Sequence, residues 1–363
     1  MNAKKWCMGL LGSIWVLILF IALIVIYVDP YMHYHEPMIG MNYMASEVYI
    51  NDGMTKNCKY EAIITGSSTS GGFSEKEAEA VFGKKFICVS FPGESFKRIG
   101  DNLQVGFCEN EDLDMVIWGL DPMWFIAEAD WLAYEAYPEY LYDDNLWNDV
   151  NYLLNGDVLL KEIVKPLWER KMNQTEIDNL GYDDNEKIIT NDKKNDERDK
   201  LVLDNYDRPP KNIQSVDETE TEEIIKRLQQ NLNKNVIARI EERPEVTFYI
   251  FFPPYSVLWW DSIHQSGDEI MERRLYMEQF AIEQLLKYNN VQLFSFANNF
   301  DLTCNLNNYI DDVHYTSEVY TQILYWIKEG AYRLEKENYK EYLQSISHFY
   351  CNYDYDSIWN IKN

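Results

Sequence analysis

From Trp6 to Val28 the chain carries no charged residue and is dominated by Leu, Ile, Val and Trp. At helical rise a run of this length crosses the roughly 30 Å hydrocarbon core of a bilayer. Each central Leu, Ile, Val or Phe favours insertion by about 0.3–0.6 kcal/mol, which the few Gly and Ser residues do not reverse. Lys4 and Lys5 precede the run and Asp29 and Pro30 follow it, so the positive-inside bias keeps the N-terminus cytoplasmic and sends the rest outward. The exit, Ile26-Tyr27-Val28-Asp29-Pro30, has no small-x-small cleavage pair, so a retained signal anchor is expected rather than a cleaved peptide.

Beyond the anchor, 46% hydrophobic and 15% aromatic residues support a sizeable core and exclude a chain disordered throughout. A formal net charge of −27 excludes nucleic acid as a general partner, because phosphate binding needs Lys and Arg clusters. Cys7, Cys58, Cys88, Cys108, Cys304 and Cys351 follow no C-x-x-C spacing, which argues against zinc. One or two disulfides among the outer five, or buried free thiols, both fit. No cofactor or metal is expected.

Residues 29–57, rich in Tyr, Met and Pro, read as a juxtamembrane stalk packed onto a domain spanning 58–340. Three short apolar runs, Tyr60–Thr65, Phe86–Ser90 and Met115–Gly119, each end in a Gly, Pro or Ser turn. The first two lead into helices. Ser74 with Glu77 forms a capping box for one through about Phe82, and the other runs through Cys108. Val246–Phe252 and Val291–Phe296 repeat the strand pattern around a helix over about 268–288, and a last helix starts at about Ser317. Strands alternating with helices predict an α/β fold, a three-layer α/β/α domain on a parallel sheet with its ligand at the carboxyl ends. Apolar spacing predicts a further helix over 222–240. Residues 172–222 carry fifteen Asp or Glu against seven Lys or Arg and read as a mobile acidic insertion. Trp124–Trp168 is expected to pack as helices over the sheet, and 341–363 as a C-terminal tail.

Two stretches carry chemistry. In Gly66-Ser67-Ser68 a tight turn after the first strand lifts a serine hydroxyl to the rim of the sheet, although small polar residues are also ordinary turn formers. In Asp311-Asp312-Val313-His314 a three-residue offset lets a carboxylate reach Nδ1–H of the imidazole and leaves the other nitrogen to accept a serine proton. Asp312 competes with Asp311 for that role, and an incidental surface histidine is the plain alternative.

The layout resembles the SGNH/GDSL hydrolase clan, in particular its membrane-anchored outer-face branch. That branch includes the lipoteichoic acid D-alanylation protein and the alginate and peptidoglycan O-acetyltransferases. The resemblance spans roughly 29–335, without the acidic insertion. It rests on YEAIITGSSTSGGF, the glycine after the second strand, IWGLDP and DDVHYT. It implies Ser68 as nucleophile, His314 as base, Asp311 as its orienting acid, and the N–H groups of Ser68 and Gly93 as oxyanion donors. Many clan members place an oxyanion-donating asparagine where this chain has Asp121. An ionised carboxylate there opposes developing negative charge, so Asp121 is protonated, differently employed, or a sign of weak catalysis.

The resemblance implies an outer-face serine esterase or O-acyltransferase acting on a cell-surface polysaccharide or other acylated glycan, with a membrane-bound O-acyltransferase as acyl donor. The alternative is a catalytically inactive glycan-binding or scaffold protein of an envelope-assembly complex. His33 and His35, beside Glu36, are minor metal-ligand candidates. Phe251–Trp260 is a candidate aromatic wall for a sugar, with core packing as the competing explanation. His264 and His348 have no companion motif.

Overall fold

The computed structural model describes residues 3–36, 46–133, 138–143, 145–168, 198–213, 215 and 217–362. It comprises two compact units, Met1–Lys59 with Glu135–Asp184, and Tyr60–Tyr134 with Asn185–Asn363.

The first unit is built on the helix Ala3–Val28, whose 26 residues extend about 39 Å, enough to cross a bilayer. Only Val25 and Val28 of this helix are buried. The chain leaves it through a left-handed Asp29 (φ 45°), a conformation that a short polar side chain tolerates when it bonds locally. Here the buried Asp29 carboxylate accepts from the N–H groups of His33, Tyr34 and His35 at 3.0, 2.7 and 3.0 Å and from Tyr152 Oη at 2.8 Å. Tyr31 stacks between Tyr49 and Tyr152. The helix Glu47–Asn57 comes so close that a Cβ on Gly53 would overlap the Tyr31 carbonyl oxygen. Residues 29–36 and 46–57 of the stalk are therefore folded around the helix exit, and residues 138–168, expected over the sheet, belong to this unit instead.

In the second unit six strands form one sheet: β1 Ala62–Gly66, β2 Phe86–Ser90, β3 Met115–Gly119, β4 Thr247–Phe252, β5 Val291–Ser295 and β6 Arg333–Leu334. Their order is β2-β1-β3-β4-β5-β6. All pairings are parallel except the last, in which β6 runs antiparallel along β5. One face buries Ile64, Cys88, Ile117, Phe251 and Phe294 under Ala78 of the helix Glu75–Phe82 and Val319, Ile323 and Ile327 of the helix Ser317–Glu329. On the other face Phe107 of the helix Phe96–Glu109 meets Phe248, and the helix Asp268–Leu285 packs on β5. The expected α/β layering is present, and five of its strands lie within two residues of their expected bounds.

Chain order reverses at β1, which has β2 on one side and β3 on the other. Such a switch point leaves a crevice beyond the strand ends. Gly66 is level with Ser90 and Gly119 in the ladder, and the turn after β1 drops Ser70 back over both glycines. A Cβ on either would overlap Ser70 Oγ, and one on Gly66 would also lie 2.8 Å from the Gly119 carbonyl.

Two expectations need correction. The segment expected as a C-terminal tail, 341–363, carries a packed helix: Tyr342, Ile346 and Tyr350 of the helix Tyr339–Asn352 are buried, because apolar and aromatic residues at helical spacing meet the helix Asp268–Leu285. Of the acidic insertion, 172–197 lies outside the described residues. Residues 198–208 are packed, with Val202 and Leu203 buried and Arg208 bound through Nε and Nη2 to the buried Asp261, each at 2.9 Å.

Gly66→Ala is expected to destabilise the protein by about 1–3 kcal/mol, since its Cβ meets a backbone carbonyl that cannot step aside. Thermal unfolding of the detergent-solubilised full chain checks this, and an unchanged midpoint would show that both Ser70 and the Gly119 carbonyl give way.

Candidate active site

The turn after β1 is held by two backbone bonds, Ser70 N–H to Ser67 O at 3.0 Å and Gly71 N–H to Ser68 O at 3.1 Å. They wind Ser68–Ser70 into a single 3-10 turn. This presents the part-exposed Ser68 at the strand tip while Ser67, Thr69 and Ser70 are buried.

The second stretch is a closed loop. Ile310 N–H donates to His314 O at 2.9 Å and Thr316 N–H to Asn308 O at 2.9 Å. Inside it Asp311 Oδ1 accepts from the N–H groups of Val313 and His314 at 2.9 and 2.6 Å. Its Oδ2 lies 2.7 Å from His314 Nδ1, and His314 Nε2 lies 2.9 Å from Ser68 Oγ. With the proton on Nδ1, Asp311 accepts from the ring and Nε2 accepts from the serine hydroxyl, which satisfies all three groups. Asp311, not Asp312, meets the ring.

Tyrosines tie the two stretches together. Tyr315 Oη donates to the Thr69 carbonyl at 2.6 Å, so the residue after the histidine grips the residue after the serine. Tyr309 Oη donates to Pro254 O at 2.8 Å, and Ser256 donates to Asp312 O through Oγ at 2.8 Å and N–H at 3.2 Å. The loop after β4 is thus a platform for the histidine loop.

Electrostatics makes the imidazole a stronger base than a free one. Burial lowers the His314 pKa, but the hydrogen bond and charge of Asp311, with Asp121 and Asp312 further off, outweigh it and leave the ring above its usual value of 6.5. For Asp311, burial pushes upward and is overcome by His314 and the two backbone N–H groups, which hold its carboxyl below the usual range. Asp312 moves the other way, raised by burial and by Asp311.

Asp121 is buried beneath this site. Its Oδ2 accepts from Ser67 Oγ at 2.7 Å, and its Oδ1 accepts from Met123 N–H at 2.9 Å and from Tyr255 Oη. Burial raises its pKa against the Ser67 and Met123 bonds and the charge of Arg274. An acceptor of three hydrogen bonds is not an oxyanion donor, which corrects that assignment; Asp121 instead holds Ser67 beside Ser68. Gly93 takes φ 74° in the loop after β2, a conformation open to glycine. Among the described residues, its N–H and that of Ser68 have no hydrogen-bond partner.

The other candidates are structural. Phe251, Phe252, Tyr255, Trp259 and Trp260 are buried, and Trp260 stacks flat on Tyr350 with centroids 4.0 Å apart, so this segment is core and not a sugar wall. His33 lies 3.4 Å from Asp149. His35 places Nδ1 2.7 Å from Glu36 O and Nε2 2.8 Å from Ile26 O, which leaves no lone pair for a metal. Among the described residues no His, Cys, Asp and Glu cluster could hold a metal ion. His264 stacks on Tyr355, His348 lies on the C-terminal helix, and all six cysteines are free thiols. Ser67, Tyr255, Ser256 and Tyr315 escaped sequence reasoning; only the position of Tyr315 beside His314 hinted at its part.

No family model matches the chain, and no curated protein matches it. Among solved structures it is similar to one from Streptococcus pneumonia, provisionally described as a platelet activating factor. The match covers 82% of this chain and 91% of that one, at 10% identity and a TM-score of 0.37. At that level the likeness carries no argument about what this chain does.

Proposed function

We propose that the chain is a membrane-anchored serine esterase or O-acyltransferase of the SGNH/GDSL type that modifies a cell-surface glycan through an acyl-serine intermediate. The observation that carries the reading is the continuous relay Ser68 Oγ–His314 Nε2 at 2.9 Å and His314 Nδ1–Asp311 Oδ2 at 2.7 Å. Ser68 and His314 are 246 residues apart in sequence.

In this reading Ser68 Oγ attacks the acyl carbonyl while its proton passes to His314 Nε2, and Asp311 stabilises the imidazolium. The N–H groups of Ser68 and Gly93 take the negative oxygen of the tetrahedral intermediate, each donor contributing about 3–4 kcal/mol. The imidazolium returns the proton to the departing alcohol or thiol and leaves Ser68 acylated. Water, or a sugar hydroxyl deprotonated by the same His314, then releases the acyl group. The helix Ala3–Val28, with Lys4 and Lys5 on its cytoplasmic side, would tether the serine at the outer face. There a membrane-bound O-acyltransferase would supply acyl groups.

Asp121 favours a second reading, a glycan-binding scaffold without turnover. Labelling the purified full chain with a fluorophosphonate separates the two. We expect covalent labelling of the parent and its loss in Ser68→Ala and His314→Ala; a folded parent that does not label is a scaffold.

The pH dependence follows from the raised His314 pKa. Base catalysis needs the neutral ring, so activity on an acyl ester rises with pH, with a midpoint above about 6.5. Asp311→Asn should move that midpoint down and lower kcat by about 10⁴-fold, since the carboxylate both raises the pKa and fixes the tautomer. Asp121→Asn should move the midpoint down less than Asp311→Asn and leave the relay intact, since Asp121 does not touch the ring and burial pushes its carboxyl toward the neutral form. A pH–rate profile that is the same in all three proteins would detach His314 from the reaction.

A further inference from the structure

Residues 145–168 hold a surface that the chemistry does not use. Trp147 is 91% exposed, Leu146 75%, Trp168 66%, Leu160 60%, Val150 50% and Val164 47%. This is not a frayed edge of the core. In the helical stretch from Val158 to residue 168, Val158 and Ile163 are each 1% exposed, so the inward face is already filled. Leu160, Val164 and Trp168 recur at four-residue intervals on another face, where a water-facing helix would carry charge. Large apolar side chains left exposed in this number within residues 145–168 exceed the scattered singles of an ordinary surface and mark a contact surface.

The same unit names the occupant. The segments Val150–Leu153 and Val158–Val164 pack against the helix Ala3–Val28. Tyr152 Oη also donates to Asp29 at the helix exit and accepts from Tyr31 N–H at 3.2 Å. The segments that carry the apolar side chains therefore adjoin the helix Ala3–Val28 and are tied to its exit at Asp29; in a helix that spans a bilayer that exit lies where headgroups meet acyl chains. Tryptophan concentrates at that depth because its ring is apolar and its N–H is not.

We propose that residues 145–168 form a second, in-plane membrane contact, in which Trp147 and Trp168 with Leu146, Val150, Leu160 and Val164 enter the headgroup–acyl boundary of the bilayer. The proposal rests on the helix Ala3–Val28 spanning that bilayer and not on the enzymatic reading. Its driving force is apolar. The chain carries −27 net charge, and Lys161 in this segment is paired with Asp157 at 3.1 Å, so attraction to anionic lipid contributes little.

The test uses the full chain in phosphatidylcholine vesicles, with and without lipid brominated high in its acyl chains. The parent is compared with the double variant Trp147→Phe, Trp168→Phe, exposed positions at which loss of the indole leaves the core untouched. The difference between the two proteins isolates these two of the 11 tryptophans. Trp6 and Trp15 report insertion of the spanning helix in both. We expect a blue-shifted difference emission that loses roughly half its intensity to the brominated lipid and is indifferent to salt. A difference emission typical of water-exposed indole, unquenched while Trp6 and Trp15 are quenched, overturns the proposal and assigns the surface to a protein partner. Quenching that requires anionic lipid and disappears in salt overturns the apolar mechanism.

Discussion

The arrangement of the second unit depends on one register. β1 pairs in parallel with β2 and β3 so that Gly66, Ser90 and Gly119 lie at the same level, and β4 brings Phe251 level with Gly119. Because the strands end together, the loops that follow them start from a common edge and reach one another within a few residues. Ser68 is two residues past that edge. The histidine loop reaches it because Tyr309 and Ser256 bind that loop to the turn after β4 and Tyr315 binds it to Thr69. A slip of one residue between β1 and β3 would turn every side chain of the slipped strand to the wrong face.

The site is also an electrostatic arrangement of three carboxylates around one imidazole. Asp311 is held ionised by direct bonding to the ring and two backbone N–H groups, while Asp312 and the buried Asp121 are pushed toward their neutral forms. The environment therefore separates groups of the same type. One carboxylate, Asp311, orients the His314 ring, and another, Asp121, lies beneath Ser68 and receives hydrogen bonds from Ser67, Met123 and Tyr255. Arg274, buried between the rings of Phe125 and Trp259, donates to Pro122 O at 2.9 Å and places a positive charge near that second carboxylate.

What could be read in the sequence was what local chemistry determines. Phe86–Ser90 and Met115–Gly119 are short apolar runs closed by turn residues, and the structure has strands with those bounds. Ser74 caps its helix through Glu77 N–H as its spacing implied. The Asp311-to-His314 offset lies within one turn, so its hydrogen bond was legible without a fold. Contacts made by distant segments were not. Asp121 looked like a defective donor because its partners, Ser67 and Tyr255, are 54 and 134 residues away. The aromatic run Phe251–Trp260 looked like a ligand wall because the helix that covers Trp260 comes from the last segment of the chain. The two-residue β6 is too short to leave a pattern, and the stalk lacked a period because its order comes from one carboxylate gathering four donors.

The Ser70 side chain resting on Gly66 and Gly119 carries a consequence for how this chain can diverge. Those three positions share one volume, so none of them can gain an atom unless another gives it up. Descendants of this sequence should therefore drift at Gly66, Ser70 and Gly119 in concert or not at all, although 53 residues of chain separate the two glycines at one strand-to-strand crossing.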